Sequence, residues 1–430
     1  MKEAFLHYIW QYKQFKFTDL YTEQGECLQL IRTGDYTQQA GPDFFNGQIV
    51  LDGQLWAGNI EIHVKASDWY VHRHQQDENY DNVILHVVWE YDMPVLRQDH
   101  SEISVLVLSK YVEEQLLARY AQLSLQKKWI YCEDFIGQME AFKRDKWLET
   151  LFFERLERKV LPIQQRALQT HSDWEAVFFC QIAQGFGLNI NAGAFLQMAQ
   201  SLPIKIIQKE RQSTAHLEAL FLGKTNILKA NHQEHYGKDL WKTWRYLAQK
   251  YQLDVDDAIQ VTYFKLHPDN FPTIRLSQLA GVLSRHASLF DAVLQCRSKE
   301  DYYRTFATTT TAYWKNHYVL DRESPEKNKR TTTAFVDLLI VNTVIPLTYA
   351  YHRSKGTDCS EQILDLISSI KPEKNNIINH FARLGVKVES SFDTQSLLQL
   401  KKRYCEAKKC LNCGVGRAYL YADKAAKKPN

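Results

Sequence analysis

The residues with the clearest potential for chemistry lie in the segment GPDFFNGQIVLDGQLWAGNIEIHVK, residues 41–65. Asp43 opens a predicted strand, and Glu61, His63 and Lys65 alternate along the strand that follows. Because successive side chains of a strand point to opposite faces, these three share one face, while the apolar residues between them face the core. Asp43 can therefore approach Glu61. Two converging carboxylates favour Mg²⁺ or Mn²⁺, and His63 or Lys65 would orient or activate a water for attack on phosphorus.

Histidines are concentrated beside this carboxylate pair. Five of the 15 histidines lie between residues 63 and 100, namely His63, His72, His74, His86 and His100. In a strand His72 and His74 would share a face, and His86 would sit beside Glu61 on the adjacent strand. Histidine is the commonest side-chain metal ligand and the usual general base near neutral pH. The pattern predicts a metal or acid–base site of Asp43, Glu61, His63, His72 and His74. The alternative is a set of surface histidines, with Glu61 and His63 facing solvent and His86 hydrogen-bonded in the core.

The elements that must position these residues follow from the apolar pattern. The sequence predicts a helix over 3–15 with Phe5, Ile9 and Tyr12 on one stripe. Strands over 27–32, 45–52 and 57–65 follow, with Asp52-Gly53 as a hairpin turn. A helix through 75–81 precedes a strand over 83–90. After about residue 110 the pattern becomes helical. We expect an α+β protein with an α/β domain over 1–110, an all-helical domain over 111–400 and a Cys-bearing tail over 401–430.

This order of elements and motifs resembles the PD-(D/E)xK nuclease superfamily, the restriction-endonuclease-like fold. The core of that family runs helix, three strands, helix, strand. Its Asp stands at the start of the second strand and its (D/E)xK on the third, and Asp43 and Glu61 match these positions. The resemblance covers roughly a quarter of the chain. It implies a mixed-sheet domain with Mg²⁺- or Mn²⁺-dependent cleavage of DNA or RNA. The sequence departs from the family at the motif lysine, where His63 stands, with Lys65 two residues further on.

A second resemblance spans nearly the whole chain. The runs GPDF, GNIEIH, SDWYVHRH, VILHVVWEYD, HPDNFPTIRLSQLA, LLIVNTVIPL and YCEAKKCLNCGVG resemble an uncharacterised bacterial family, the domain of unknown function 2851. That resemblance brings no known activity with it.

Three of the eight cysteines form a C-x₄-C-x₂-C pattern: Cys405, Cys410 and Cys413. This spacing predicts a metal site, zinc or a [4Fe–4S] cluster, that anchors the C-terminus. The fourth ligand remains open among Cys27, Cys132, Cys359 and a nearby histidine. The alternatives are three reduced structural thiols or a redox disulfide. Some nucleases of the superfamily staple their C-terminus to the nuclease domain with an iron–sulfur cluster. Cys27 with the three tail cysteines is similar to that layout, with different spacing.

The tail around these cysteines is basic. Residues 401–430 hold nine basic residues against two acidic ones, a local excess of +7. Six of the nine are the predicted nucleic-acid contacts: Lys401, Lys402, Arg403, Lys408, Lys409 and Arg417. The other three are Lys424, Lys427 and Lys428. A cation cluster beside a metal site can bind phosphates by counterion release. The alternative is a solvated terminus.

Composition narrows the class of protein. Hydrophobic residues make up 45% and charged residues 24%, an ordinary globular balance. The net charge is only +3, so a nucleic-acid site must be a local patch.

No signal peptide is expected. The run TAFVDLLIVNTVIPLTYAY carries Asp337, Asn342 and Pro346, which favours a buried helix over a membrane span. We expect a cytoplasmic protein with no membrane partner, and the absence of P-loop, GxGxxG and HExxH motifs leaves ATP-driven and dinucleotide chemistry unsupported.

The first functional hypothesis is a metal-dependent nuclease or a nuclease-derived DNA-processing protein that hydrolyses phosphodiesters. The alternative is a non-catalytic nucleic-acid-binding or scaffold protein with a structural Cys metal site, which the missing lysine at position 63 favours. A third hypothesis is a metallohydrolase of a small substrate, with its metal bound through His72 and His74.

Overall fold

The computed structural model describes residues 2–37, 41–125, 128–255 and 259–422. The chain divides into two compact units, of which the first comprises residues 1–144 together with 401–430. The second comprises residues 145–400. The first unit thus continues past residue 110 and takes in the Cys-bearing tail. A sheet in the first unit and helices in the second confirm the expected α+β class.

The first unit is built on a seven-stranded sheet of β1 (Leu20–Tyr21), β2 (Cys27–Arg32), β3 (Asp35–Tyr36), β4 (Phe44–Leu51), β5 (Gln54–Lys65), β6 (Val83–Glu90) and β7 (Val105–Val107). Six strands follow the order β1, β2, β4, β5, β6, β7, and β3 pairs with β4. β2, β4 and β5 are antiparallel neighbours, whereas β6 runs parallel to β5 and β7 parallel to β6. The sheet is therefore mixed, and β2, β4, β5 and β6 lie close to the predicted ranges, whereas β3 was not predicted.

The turn between β4 and β5 is the predicted one. Asp52 has a φ of 44° and Gly53 a φ of 85°, and Leu51 pairs with Gln54. Two consecutive residues with positive φ are typical of a type I′ hairpin turn. This turn sets the register of β4 on β5 from Leu51 to Gly47. A bulge between Phe44 and Gly47 then shifts the pairing by one residue and places Phe44 opposite Ile60.

The centre of the sheet is covered on both faces. All residues of β5 from Gly58 to His63 are buried, and so are the residues of β6 from Val83 to Val88. Strands buried on both sides are typical of the parallel part of a sheet. The alternative that Glu61 and His63 face solvent is therefore wrong, because these side chains have only 4% and 1% exposure.

One face of the sheet is covered by helix α1 (Glu3–Gln11), which packs against β5. Phe5 and Ile9 have no exposure, whereas Tyr12, predicted on the same stripe, is 38% exposed. The helix ends four residues before the predicted end, because Lys13 takes a left-handed φ of 51°. A non-glycine residue in this conformation cannot continue a right-handed helix.

The crossover between β5 and β6 is made of short turns. Helix α2 (Asp68–Val71) is followed by two 3₁₀ turns, His74–Gln76 and Glu78–Tyr80. The prediction of a strand through His72 and His74 is wrong, and so is that of a continuous helix over 75–81. Arg73 has a φ of 62° and turns the chain between the two histidines. Helices α3 (Glu114–Leu125) and α4 (Glu133–Ile136) follow the sheet.

The second unit is largely helical. Its helices are α5 (Ala141–Gln169), α6 (Trp174–Phe186), α7 (Leu188–Gln200), α8 (Ile204–Glu210), α9 (Thr214–Lys224), α10 (His235–Tyr251), α11 (Pro272–Arg285), α12 (Leu289–Gln295), α13 (Lys299–Thr305), α14 (Thr333–Leu339), α15 (Ile345–Ser354), α16 (Ser360–Ser369), α17 (Asn376–Arg383) and α18 (Ser391–Gln399). A two-stranded ribbon of β8 (His317–Val319) and β9 (Arg322–Glu323) interrupts them. Leu148, Phe152, Leu156 and Val160 recur every four residues along α5 and are buried, so they form its apolar face.

One helical run in the second unit is apolar enough to span a membrane by length and composition. It covers Thr333–Ser354, through α14, a π-helical segment at Ile340–Val344 and α15, with a mean hydropathy of 1.5. Of its most apolar window, 61% is buried inside the fold. That burial fits the predicted core helix. Buried core helices of soluble proteins can also match a membrane span in length and composition.

The C-terminal segment returns to the first unit. A π-helical segment at Leu400–Cys405, a 3₁₀ turn at Cys410–Asn412 and helix α19 (Gly414–Tyr421) complete the described chain. Leu420 of α19 is buried in the same core cluster as Phe5 and Ile60. Its carbonyl accepts a hydrogen bond of 2.7 Å from Arg119.

Candidate metal centre

Asp43 and Glu61 meet where β4 begins. The backbone N–H of Asp43 donates to Oε2 of Glu61 at 3.0 Å, and Oδ2 of Asp43 accepts from the backbone N–H of Ile62 at 3.1 Å. The register that pairs Phe44 with Ile60 produces this reciprocal contact. The structure thus brings together the two carboxylates that the sequence pattern paired.

A first group of potential ligands surrounds Asp43. Nε2 of His7 lies 3.0 Å from Oδ2 of Asp43 and 3.5 Å from Oε1 of Glu3. Glu3 and His7 are one turn apart on α1, which places both side chains over the start of β4. One ligand atom from each of Glu3, His7 and Asp43 lies within 4.8 Å of the others. This spacing suits three ligands of one ion.

A second group consists of His63, His72 and His74. Nε2 of His63 lies 3.0 Å from Nδ1 of His72, and one ring nitrogen from each of the three histidines lies within 4.8 Å of the others. Although His72 and His74 do not lie on a strand, the turn at Arg73 lets both rings converge on His63.

Glu61 stands between the two groups. Its Oε1 lies 3.5 Å from Nε2 of His63 and 3.4 Å from Nε2 of His74. Its Oε2 is held by the backbone of Asp43, a member of the first group. One carboxylate therefore has one oxygen directed at each set of ligands.

Two buried imidazole nitrogens at this site lack a hydrogen bond. Nε2 of His74 is buried without a partner, and so is Nδ1 of His86. Nearly all buried polar atoms in proteins are satisfied, so an orphaned nitrogen needs an explanation. For His74 a metal ion would supply one, because its Nε2 faces the carboxylate of Glu61.

His86, on β6, contacts His63 of the second group through a ring nitrogen. The register of β5 on β6 pairs Glu61 with His86, as the sequence predicted. Nε2 of His86 lies 2.8 Å from Nδ1 of His63, and His86 has no exposure. When Nε2 of His63 offers its lone pair to a ligand, its Nδ1–H donates to His86. Such a second-layer hydrogen bond fixes the tautomer and the ring orientation of a metal-binding histidine.

Burial sets the protonation of the centre. It raises the pKa of Glu61 to about 9, and the nearby Asp43 carboxylate adds to this effect. Burial also lowers the pKa of His63 to about 2 and that of His86 to about 3, with neighbouring imidazoles contributing. At neutral pH the metal-free protein therefore holds a protonated Glu61, whereas His63 and His86 are neutral. Neutral imidazole is the form that binds a metal ion.

The centre is open to solvent only at its edge. His72 is exposed and Glu3 is half-buried, whereas Glu61 and His63 are buried. The side of α1 and α2 is therefore the more exposed edge of the centre, and residues of β5 and β6 form its buried floor.

Lys65 does not reach the carboxylates. Its Nζ lies 3.5 Å from Oε1 of Glu90, and both side chains are about half exposed. Glu90 pairs with Lys65 across β5 and β6, so the lysine is held at the end of the strand.

Sequence reasoning missed two members of the site, Glu3 and His7. The available signal was the i, i+4 spacing of a carboxylate and an imidazole on one face of the first helix. Which strand that face would cover is a tertiary feature, and the sequence pattern does not contain it.

The three tail cysteines converge with a fourth. Cys405, Cys410 and Cys413 line one cavity together with Cys132, at the start of α4. Cys27 is exposed on β2, and Cys359 belongs to the second unit. Burial, with the neighbouring Cys413 contributing, raises the pKa of Cys410 to about 11.

The predicted nucleic-acid contacts divide into two kinds. Lys402, Arg403, Lys408 and Lys409 are exposed. Lys401 is engaged, since its Nζ lies 4.9 Å from the centre of the Trp129 ring and 3.6 Å from Glu406, and Arg417 lies over the ring of Tyr12. Lys424, Lys427 and Lys428 lie outside the described residues.

Comparison with known proteins identifies a family but no activity. A family model described as "Protein of unknown function (DUF2851)" matches residues 3–376. The match includes every residue of the carboxylate–histidine site. No curated protein and no solved structure matches the chain.

Proposed function

We propose that this chain, which belongs to the DUF2851 family of proteins of unknown function, is a metal-dependent hydrolase that cleaves the phosphodiesters of a nucleic acid. The observation that carries the proposal is the position of Glu61. Its carboxylate lies between the group of Glu3, His7 and Asp43 and the group of three histidines. Two adjacent ion sites that share a carboxylate are a recurrent design for hydrolysis at phosphorus.

The donor atoms fit a metal ion. His63, His72 and His74 would hold one ion with Oε1 of Glu61, and the group around Asp43 would hold a second. The ions would polarise a phosphoryl oxygen and lower the pKa of a bound water. Carboxylates alone suit Mg²⁺, whereas imidazoles suit Zn²⁺ and Fe²⁺, so Mn²⁺ or one of these ions fits this mixed set better than Mg²⁺.

The remaining parts of the site position these ligands. His86 orients His63 through its hydrogen bond, and the backbone of Ile62 orients Asp43. The hydroxyl of Tyr36 lies 3.3 Å from Nδ1 of His7 and serves that imidazole in the same way. Glu61, His63 and His86 form the buried floor of the site, and Glu3 and His72 lie at its more exposed edge.

The order of elements supports the nuclease assignment. Helix α1, the antiparallel strands β2, β4 and β5, a short helical crossover and strand β6 follow the helix, three-strand, helix, strand order of the restriction-endonuclease-like core. His63 at the motif lysine position is buried among imidazoles, and Lys65 is paired with Glu90. The site therefore relies on histidine ligands where that superfamily uses a lysine.

Cleavage assays test the proposal directly. Wild-type protein is incubated with single-stranded DNA, duplex DNA and RNA in Mn²⁺, Zn²⁺, Fe²⁺ or Mg²⁺. We expect cleavage with Mn²⁺ and a loss of at least 100-fold in Asp43→Asn and Glu61→Gln, the range for removal of a group that stabilises the transition state. Lys65→Ala, which leaves both ligand groups intact, is the matched control and keeps its activity.

The outcomes are distinct. No cleavage of any substrate with any of these metals removes the nuclease assignment. Activity that survives Glu61→Gln would place the chemistry elsewhere. Loss of activity in Lys65→Ala would show that Lys65 takes part in the reaction.

A second candidate function is a histidine-based metallohydrolase of a small substrate. The observation that favours it is the three-imidazole group, together with Asp68 and Asp77, whose charges act on Glu3 and His74 respectively. An acidic edge repels a long polyanion more than a small ester. Cleavage of a small phosphate ester such as bis(p-nitrophenyl) phosphate, without affinity for DNA or RNA, would select this function.

A further inference from the structure

The tail of the first unit forms a second cluster of potential metal ligands, separate from the carboxylate–histidine site. Four thiols line one cavity: Cys132, Cys405, Cys410 and Cys413. Cys132 and Cys413 are buried, and Cys405 and Cys410 are partly buried. Tyr131, Tyr404 and Gly416 complete the lining. Among the described residues, the lining thus offers sulfur ligands and no carboxylate or imidazole.

The local backbone holds the three tail thiols in place. Lys408 has a left-handed φ of 54°, and the N–H of Lys409 donates to the carbonyl of Tyr404 at 2.8 Å. This turn brings Cys410 back towards Cys405 across the four-residue gap. The N–H of Cys413 donates to the carbonyl of Cys410 at 3.2 Å, which closes the two-residue gap.

Helix α19 fixes the same loop from the other side. A Cβ added at Gly416 would lie 2.1 Å from the carbonyl oxygen of Cys410, so the helix and the loop are in direct contact. At the far end of the helix, the hydroxyl of Tyr421 lies 2.8 Å from that of Tyr8. Contacts outside the cavity therefore position the loop.

We propose that Cys132, Cys405, Cys410 and Cys413 bind one tetrathiolate metal centre, either a zinc ion or a [4Fe–4S] cluster. Four thiolates are a complete ligand set for both, and an all-sulfur set selects soft metals over Mg²⁺ and Ca²⁺. Cys132 is the fourth ligand. Cys27, which is exposed on its strand, is not part of the cavity.

The proposed metal centre would join two parts of the first unit that are far apart in sequence. Cys132 precedes residues 145–400 in the chain and the other three ligands follow them. A metal bound by all four ties the two sequence segments of the first unit together. Because the binding free energy of a structural zinc ion contributes directly to folding, this link would be a principal support of the unit.

The test is metal analysis of full-length protein purified without chelator from medium with zinc and iron. We expect one zinc per chain without visible absorption, or four irons per chain with a broad absorption band at about 400 nm. Cys132→Ser and Cys410→Ser should each lose at least tenfold in bound metal. Cys180→Ser, which changes a buried thiol of the second unit, and Cys27→Ser should keep it.

Counting the reactive thiols of the wild-type protein tests the proposal even when a cysteine variant fails to fold. In wild-type protein, bound metal should protect four thiols from a thiol reagent, and removal of the metal should expose them. Wild-type protein that carries neither zinc nor iron would overturn the proposal, and so would full metal content in Cys132→Ser. Because Asp43→Asn leaves all four cysteines intact, loss of its activity with retained sulfur-bound metal separates the two sites.

Discussion

Nε2 of His74 lies 3.4 Å from Oε1 of Glu61, and neither atom is satisfied by a hydrogen bond to the other. Both side chains are buried, at 9% and 4% exposure. A buried imidazole nitrogen that faces a buried carboxyl group without a hydrogen bond is costly unless the two share a partner. The same two atoms are well placed as ligands of one metal ion, which makes the pair a sensitive probe of metal binding.

Metal binding should stabilise the wild-type protein and not the ligand variants. At a free Mn²⁺ concentration 100-fold above the dissociation constant, ligand binding adds about 2.7 kcal/mol to the free energy of unfolding. We expect His74→Ala to lose most of this gain, because it removes one of the three imidazoles. Thermal denaturation with and without Mn²⁺ measures the effect, and Lys65→Ala is the control that should behave like wild type. An equal Mn²⁺ response in His74→Ala would contradict the site.

In metal-free protein Glu61→Gln should be stabilising at neutral pH. Burial raises the pKa of Glu61 to about 9 from an ordinary value of 4.5. A carboxyl whose pKa is raised in the folded state binds its proton more tightly there, so stability falls as pH rises from about 4.5 to about 9. Glutamine mimics the protonated form and removes this dependence. Chemical denaturation from pH 5 to 9 with chelator present tests it, and a parallel loss of stability with pH in Glu61→Gln would contradict the assignment.

A carboxylate of the second unit should show the opposite dependence on pH. Although burial opposes ionisation, hydrogen bonds from Lys250, Tyr251 and His216 lower the pKa of Glu210 to about 2. Its contribution is therefore present above the unfolded pKa of about 4.3 and is lost as pH falls towards 2. Because Lys250 is partly exposed and solvent screens the pair, we expect Glu210→Gln to cost no more than about 1 kcal/mol at pH 7. The difference from wild type should shrink in denaturation curves recorded at pH 3, and a constant difference would contradict it.

The exposed lysines of the tail should contribute to nucleic-acid binding. If Lys408 and Lys409 contact phosphates, their double alanine variant should reduce the slope of log affinity against log salt by up to about 2. Fluorescence anisotropy with labelled DNA at several salt concentrations measures the slope. The matched control is Lys143→Ala with Lys146→Ala, which removes the same charge at exposed positions outside the tail. Equal slopes in both double variants would show that the tail is only a solvated terminus.

Gly416 should be intolerant of even one methyl group. A Cβ at this position would lie 2.1 Å from the carbonyl oxygen of Cys410, so Gly416→Ala must displace either α19 or the cysteine loop. We expect a loss of ~1–3 kcal/mol in stability, typical of overpacking, together with loss of the sulfur-bound metal. Gly193→Ala in α7 is the control, because nothing lies within 4 Å of its added Cβ. That control should be neutral or stabilising by about 0.5–1 kcal/mol.

The amino-acid sequence by itself determined the parts of this protein that depend on local patterns. Alternating apolar residues located β2, β4, β5 and β6, and Asp52-Gly53 located their hairpin turn, because strand period and turn chemistry are properties of adjacent residues. The pairing of Glu61 with His86 followed from the same periodicity. The spacing of the three tail cysteines likewise pointed to one cluster.

The tertiary structure decided which distant residues join these local patterns. Contacts between segments far apart in sequence brought His7 to Asp43 and Cys132 to the tail cysteines. The left-handed conformation of Arg73 brought both crossover histidines to His63. The tertiary structure also held Lys65 at Glu90, where a strand pattern alone had placed it with the carboxylates. Contacts between distant residues depend on which faces of helices and strands pack together, and that packing depends on the whole core. A short stretch of sequence therefore does not predict them.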